Sequence, residues 1–287
     1  MQPTVIGMNA DRSEAKNDFD PLSVPVRPAA TVMLVRDHPT NGLEVFMLQR
    51  TLQAVFAKGM YVFPGGRVDA VDNSFELESV CDGLSDVEAS ALLGVPTGGL
   101  GFWVAAIREC FEEAGVLLAR SLENNDVVRF DNEDKIDRFN VARHAVHDGK
   151  LSLIDLCAQE QLRLVTDNIH YVSHWITPVG EPRRFDTRFF IARAPDAQEP
   201  LHDDNETIAS LWVAPIEALA MHKRGELAMI PPTTSNLEFL VPHSTTDQAL
   251  QGAKKIGMPT TILPQLKTNA DGKVIGISMP GDADYIN

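Results

Sequence analysis

The chain has 287 residues, 44% of them hydrophobic, enough to bury one sizeable core with perhaps an added subdomain. Its formal charge of −15 leaves no basic excess to neutralise phosphates, which argues against a nucleic-acid partner. No apolar run approaches the ~18 residues of a membrane span, and three widely spaced cysteines (Cys81, Cys110, Cys157) form neither a disulfide framework nor a zinc pattern, which fits a reducing cytoplasm.

Residues 1–27 are polar and punctuated by Pro3, Pro21 and Pro25, and read as an arm. Met1 to Asp20 has acidic residues and no apolar stretch, so no secretory signal is predicted there. Ala29 to Val35 is apolar and β-branched, and Leu43 to Leu48 repeats that character after a turn at Asp37–Gly42, which predicts a hairpin. Tyr61–Gly66 is a short strand whose glycine pair marks a backbone conformation reserved for glycine. Residues 73–100 are acidic and small, with a short helix expected at about Asp86–Leu93. The principal helix is predicted from Phe102 to Gly115, with Gly115 suited to its C-cap.

In the second half, Asn132–His147 and Leu151–Gln161 have helical patterns. Tyr171–Thr177, Thr187–Arg193 and Ile208–Val213 read as strands, followed by helices at Pro215–Arg224 and 233–241. Asn269-Ala270-Asp271-Gly272 lies between strand-like runs at Thr260–Leu266 and Val274–Met279, the pattern of a terminal hairpin. Intermixed strands and helices give an α/β or α+β class with a mixed sheet.

The chemistry concentrates in Arg108-Glu109-Cys110-Phe111-Glu112-Glu113-Ala114-Gly115-Val116. At about 100° per residue, Glu109, Glu112 and Glu113 share one helical face, while Trp103, Ile107, Cys110, Phe111 and Ala114 form an apolar stripe opposite. Like charges held together raise one another's pKa unless a cation sits among them. Hard divalent ions take such oxygen ligands. Arg108, four residues before Glu112, is placed for an internal ion pair. A run of this kind standing alone is usually a solvated face, and Arg183, Arg184 and Arg188, alternating with aromatics, read most simply as salt bridges at a sheet edge.

These residues resemble the second half of the signature of the Nudix hydrolases, matched at every fixed position from Arg108 to Val116. Gly66 stands at the signature's opening glycine, and Asp72 occupies its first glutamate position, one carbon shorter. Residues 73–107 then separate Asp72 from Arg108 where the usual signature has seven residues, an insertion of about 28. A split at this place resembles the acyl-CoA diphosphatase branch, as do Trp175-Ile176-Thr177-Pro178, Arg184 to Phe190, and Leu211-Trp212-Val213. Arg50, Gly59 and Phe63-Pro64-Gly65-Gly66 match half of the upstream motif of CoA-specific bacterial members, while Val55 replaces that motif's second arginine.

The resemblance implies an α/β/α sandwich with a mixed sheet, an insertion before the catalytic helix and a helical and hairpin C-terminal extension. The expected layout is an arm at 1–27, the Nudix domain at 28–245 with its insertion at about 73–100, and an extension at 246–287. It implies Mg²⁺ or Mn²⁺ held by Glu109, Glu112 and Glu113, with Arg108 as the residue that fixes them. The Gly65 or Gly66 carbonyl is a further candidate ligand. Arg50, and more weakly Arg184 and Arg188, are candidates for substrate phosphate, and Glu206 for a distal general base. The implied reaction opens a diphosphate in a CoA-like nucleotide, giving 3′,5′-ADP and a (acyl-)phosphopantetheine. ADP-ribose or a dinucleotide such as NADH is the alternative substrate, and a non-catalytic ligand-sensing module the alternative of another class. Relatives of this branch commonly form homodimers.

Overall fold

The computed structural model describes residues 20–54, 57–200 and 207–286. Strands β1 (Val26–His38) and β2 (Gly42–Arg50) form the expected hairpin, Val35 pairing with Val45 and His38 with Gly42. Short strands β3 (Tyr61–Val62) and β4 (Gly65–Arg67) then pair with β2 and β1 respectively. The insertion follows: two 3₁₀ turns (Ala70–Asn73 and Phe75–Val80), β5 (Cys81–Asp82) and α1 (Asp86–Leu93). Next come α2 (Leu100–Ala114), β6 (Ala119–Ser121), α3 (Glu133–His147), α4 (Leu153–Glu160) and β7 (Leu162–Val165). Strands β8 (Ile169–Ile176), β9 (Arg184–Arg193) and β10 (Thr207–Val213) lead to α5 (Pro215–Lys223), α6 (Pro231–Leu240) and α7 (Thr246–Lys254). The described chain ends with β11 (Thr261–Ile262), β12 (Gln265–Thr268) and β13 (Val274–Ser278).

The main sheet runs β10-β2-β1-β9-β8-β11, with β3 on β2 and β4 on β1. It is mixed, because β1 pairs parallel with β9 and β11 parallel with β8, while the other neighbours are antiparallel. Successive side chains point to opposite faces of a strand, and both faces are apolar. Ala30, Val32, Leu34, Phe46, Leu48 and Phe190 enter the core that holds α2. Met33, Val35, Val45, Met47, Phe189 and Ile191 enter a second core with residues of α5, α6 and α7. The result is the expected α/β/α sandwich.

The insertion is packed structure, contributing Leu77, Cys81, Ala89 and Leu93 to the α2 core. Ser85 opens α1 with a capping box to Glu88. Asp86 then reaches across to the start of α2, where Oδ1 accepts from Leu100 N at 3.0 Å and Oδ2 from Gly98 N at 3.0 Å. The first amides of α2 lack intrahelical partners, so this carboxylate fastens the insertion to the helix that carries the acids.

Two features depart from the local reading. The run Thr260–Leu266 is two strands, not one, because Pro264 offers no N–H to a ladder: β11 pairs with β8, and β12 turns away to pair with β13. Strands β6 and β7 have no counterpart in the local reading, whereas α7 supplies a helix within the expected C-terminal extension, capped by Thr245, which accepts from Gln248 N. Helix α7 packs on the same body, since Ala249 and Ala253 are buried in the second core and Asp37 Oδ1 accepts from Thr246 N at 2.7 Å.

Candidate active site

Helix α2 buries its apolar stripe against the sheet, with Trp103 and Phe190 ring centres 4.6 Å apart, and the acids emerge at its C-terminal end. That end is closed by Gly115 in the left-handed conformation (φ 69°), which a Cβ would strain. It is also closed by buried Arg143, whose Nε and Nη2 donate to the carbonyls of Glu112 (2.8 Å) and Glu113 (3.1 Å).

Arg108 is the hub. Its Nε and Nη2 donate to the two oxygens of buried Asp72, each at 2.9 Å, and Nη2 also donates to Arg67 O at 2.8 Å. Nη1 donates to Glu109 Oε1 at 2.9 Å and Glu112 Oε1 at 3.2 Å. All five guanidinium N–H groups are thereby used. The pairing with Glu112 is the one expected from sequence; the stronger bidentate pairing with Asp72 reaches across the insertion. The turn Ala70–Asn73 makes the shorter acid sufficient, since it presents Asp72 while the same carboxylate accepts from Asp69 N at 2.8 Å.

Glu113 is fixed separately, its Oε2 accepting from Gly65 N at 2.9 Å and its Oε1 lying 3.6 Å from Arg50 Nη1. The glycine pair is required for a different reason from the expected one. Neither Gly65 nor Gly66 is among the positive-φ residues, and both lie in strand β4. A Cβ on Gly66 would sit 2.4 Å from Glu109 Oε1, and one on Gly65 2.5 Å from Ala30 O, so close approach and not backbone conformation excludes side chains here.

Residues 86–240, more than half of the chain, match the family model described as the NUDT19 Nudix domain. The chain belongs to the Nudix hydrolase family. It is 28% identical to the chicken (Gallus gallus) acyl-coenzyme A diphosphatase NUDT19 over 90% of this chain and 79% of that protein. It is 26% identical to the human protein of the same name, over 91% and 77% of the two chains. The crystal structure of a Nudix hydrolase from Alicyclobacillus acidocaldarius shares the fold, with a TM-score of 0.62 at 24% identity over 80% of this chain and 97% of that one.

In this Nudix site five carboxylates, Asp69, Asp72, Glu109, Glu112 and Glu113, face the guanidinium groups of Arg108 and Arg50. Burial pushes the Glu109 carboxyl up to about 7 against the opposing pull of Arg108, and raises Glu112 in the same sense. Acids that resist ionisation beside an arginine are short of positive charge. Their hard oxygen donors fit a divalent cation such as Mg²⁺. As the side chains stand, no group of three acidic, histidine or cysteine side chains among the described residues is arranged as a ready metal site, and Arg108 Nη1 bridges Glu109 and Glu112.

A cavity of about 640 Å³ adjoins the acids through Arg50 and Gly65, both of which line it. Strand parity decides which arginines reach it. Arg183, Phe185, Thr187 and Phe189 line the cavity. The alternate residues point to the opposite face of the sheet, where Arg188 lies 5.3 Å from the Phe102 ring centre of α2. Arg184 and Arg188, expected as weaker phosphate contacts, are therefore buried on the other side of the sheet. Arg184 donates to Thr177 O at 3.0 Å, and Arg188 pairs with Asp186 and His174. Nor do they sit at a sheet edge, since β9 lies between β1 and β8. Glu206, the candidate distal base, and Val55 lie outside the described residues. The local reading missed Lys58, Val274 and Ile277, which line the cavity; a long-range fold places them there, and the one local signal was the two-residue alternation of β9. No helix among the described residues is long and apolar enough to cross a membrane.

Proposed function

We propose that this Nudix hydrolase cleaves the diphosphate of CoA or an acyl-CoA, with Mg²⁺ or Mn²⁺, releasing 3′,5′-ADP and the (acyl-)phosphopantetheine. The observation that carries the reading is the buried acid cluster built around Arg108, which adjoins a cavity of about 640 Å³. Relatives named acyl-coenzyme A diphosphatase over most of their length supply the substrate class.

Water adds to one phosphorus, the anhydride P–O bond breaks, and each phosphate leaves with one oxygen of the former bridge or of the water. Such a reaction is governed by alignment and by neutralising phosphoryl charge. A divalent cation, when bound by Glu109, Glu112 and Glu113, supplies that neutralisation and acidifies a bound water. The remaining work belongs to the chain. Arg108 holds Glu109 and Glu112 in place, and the Gly65 amide holds Glu113. Arg50, between Glu113 and the cavity, is the contact for a substrate phosphate. Glu206 is our proposed acceptor of the proton lost by water. The three free, buried cysteines suit a reducing cytoplasm.

The test is turnover of CoA, octanoyl-CoA and ADP-ribose with Mg²⁺, resolving products by anion-exchange chromatography. Release of 3′,5′-ADP from the CoA substrates is the expected result. Brisk cleavage of ADP-ribose without any from CoA would overturn the substrate assignment, and no cleavage of any would overturn the catalytic one.

A further inference from the structure

The cavity crosses the sheet from the acids towards the C-terminus. Arg50 ends β2, Thr31 lies on β1, Thr187 and Phe189 on β9, and Trp175 on β8, and these four strands are successive neighbours. At about 4.8 Å per strand, the path from β2 to β8 is ~14 Å, and one further spacing brings it to β11. Pro264, just after β11, and Val274 and Ile277 of β13 line the cavity as well. A two-amide arm about as long as four extended residues spans ~13 Å. With its diphosphate at Gly65 and Arg50, such an arm ends near β8, so a chain carried on its distal end extends towards β11 and the β12–β13 hairpin.

The character of the lining changes along this path. The acid end carries the Arg50 guanidinium, whereas Pro264, Val274 and Ile277 give the hairpin end an apolar surface, with Glu181 and Arg183 also lining the cavity. The hairpin is braced where it stands. Tyr285 Oη donates to Leu263 O at 2.8 Å, Lys267 pairs with Asp284 at 2.6 Å, and Ser278 Oγ donates to the same carboxylate at 2.7 Å. Leu266 packs over Gly180, where an added Cβ would come within 2.9 Å of its Cδ1.

We propose that the β12–β13 hairpin is the wall of an acyl subsite, where Val274 and Ile277 pack against the chain carried on the distal end of the arm and so set preference for acyl length. The proposal rests on the CoA reading above. Each methylene buried there is worth about fourfold in kcat/KM, so selectivity for a medium-chain ester over CoA itself is the signature.

The experiment compares kcat/KM for CoA, butanoyl-CoA and octanoyl-CoA in the unmodified enzyme, in Ile277→Ser with Val274→Ser, and in Val274→Trp. The expected result is a rise with acyl length in the unmodified enzyme, a loss of about tenfold on octanoyl-CoA in the serine double variant, and a similar loss in Val274→Trp by filling the space. CoA turnover should be unchanged in each. Because one variant enlarges the subsite and the other fills it, unfolding does not imitate the pattern; thermal melts of both confirm the fold. Equal effects on CoA and octanoyl-CoA, or no dependence on acyl length in any form, would overturn the subsite while leaving CoA hydrolysis intact. Cleavage of ADP-ribose alone would overturn the substrate reading and this proposal with it.

Discussion

Arg108 and Asp72, 36 residues apart in sequence, meet through two parallel hydrogen bonds of 2.9 Å in a site where Asp72 is only 2% exposed. Bidentate guanidinium–carboxylate pairs are the strong members of their class. This one rejoins the two halves of a signature that the insertion divides, and the acids depend on it because the same guanidinium holds Glu109 and Glu112.

Removing one member of a buried pair leaves the other charge uncompensated. Arg108→Ala and Asp72→Ala should each destabilise the fold by about 3–5 kcal/mol. Denaturant unfolding measures this, and titration calorimetry with Mn²⁺ should show weakened binding in Arg108→Ala. A variant of Arg108 with undiminished stability and cation affinity but no turnover would contradict a positioning role.

Glu113→Gln keeps an acceptor for the Gly65 amide but removes the charge. Turnover should fall roughly 10²–10³-fold, with little change in melting temperature. Initial rates at saturating Mg²⁺ decide the matter: unchanged activity would exclude catalysis at this helix.

Gly66→Ala places a methyl group 2.4 Å from the present position of Glu109 Oε1. The carboxylate must swing away, so cation affinity and turnover should drop together while the far end of the cavity is unaffected. Calorimetric titration of the variant with Mn²⁺ checks the first effect.

Burial raises Glu109 from 4.5 to about 7, so the folded protein retains a proton that the unfolded chain has released. The stability slope with pH follows protons bound unfolded minus folded, and is negative here. This group's contribution therefore makes the cation-free protein less stable as pH rises from about 4.5 to about 7. A divalent cation competes with that proton, so Mg²⁺ should raise the melting temperature more at about pH 8 than at about pH 6. Scanning fluorimetry with and without Mg²⁺ measures both slopes; an equal shift at the two pH values would be the contrary result.

Asp86→Ala removes both acceptors that fasten the insertion to the start of α2. A loss of about 1–2 kcal/mol is expected, by analogy with capping residues. Hydrogen exchange should show the amides of Gly98 and Leu100 opening first.

Much of this molecule was legible along the chain wherever the physics is local. The helical spacing of Glu109, Glu112 and Glu113 placed three acids on one face, Gly115 marked the end of their helix, and the turn residues Asn269 to Gly272 marked the last hairpin. Asp72 was recognisable by its distance from Gly66. Whether it could reach Arg108 was not, because that depends on how residues 73–107 fold back.

Short-range rules also left the parity of β9 open. Arg183, Arg184 and Arg188 carry the same charge, yet Arg183 lines the cavity while Arg184 donates to Thr177 O and Arg188 lies against Phe102 of α2. The sequence by itself determined the acidic helix, the hairpins and the kinship with Nudix hydrolases, since these are written in spacings of a few residues. Only the tertiary structure decided the closing of the divided signature, the facing of the arginines and the union of Arg50 with Val274 and Ile277 in one cavity. Those arise from packing between segments up to hundreds of residues apart, where burial of apolar surface sets the arrangement and no local pattern records it.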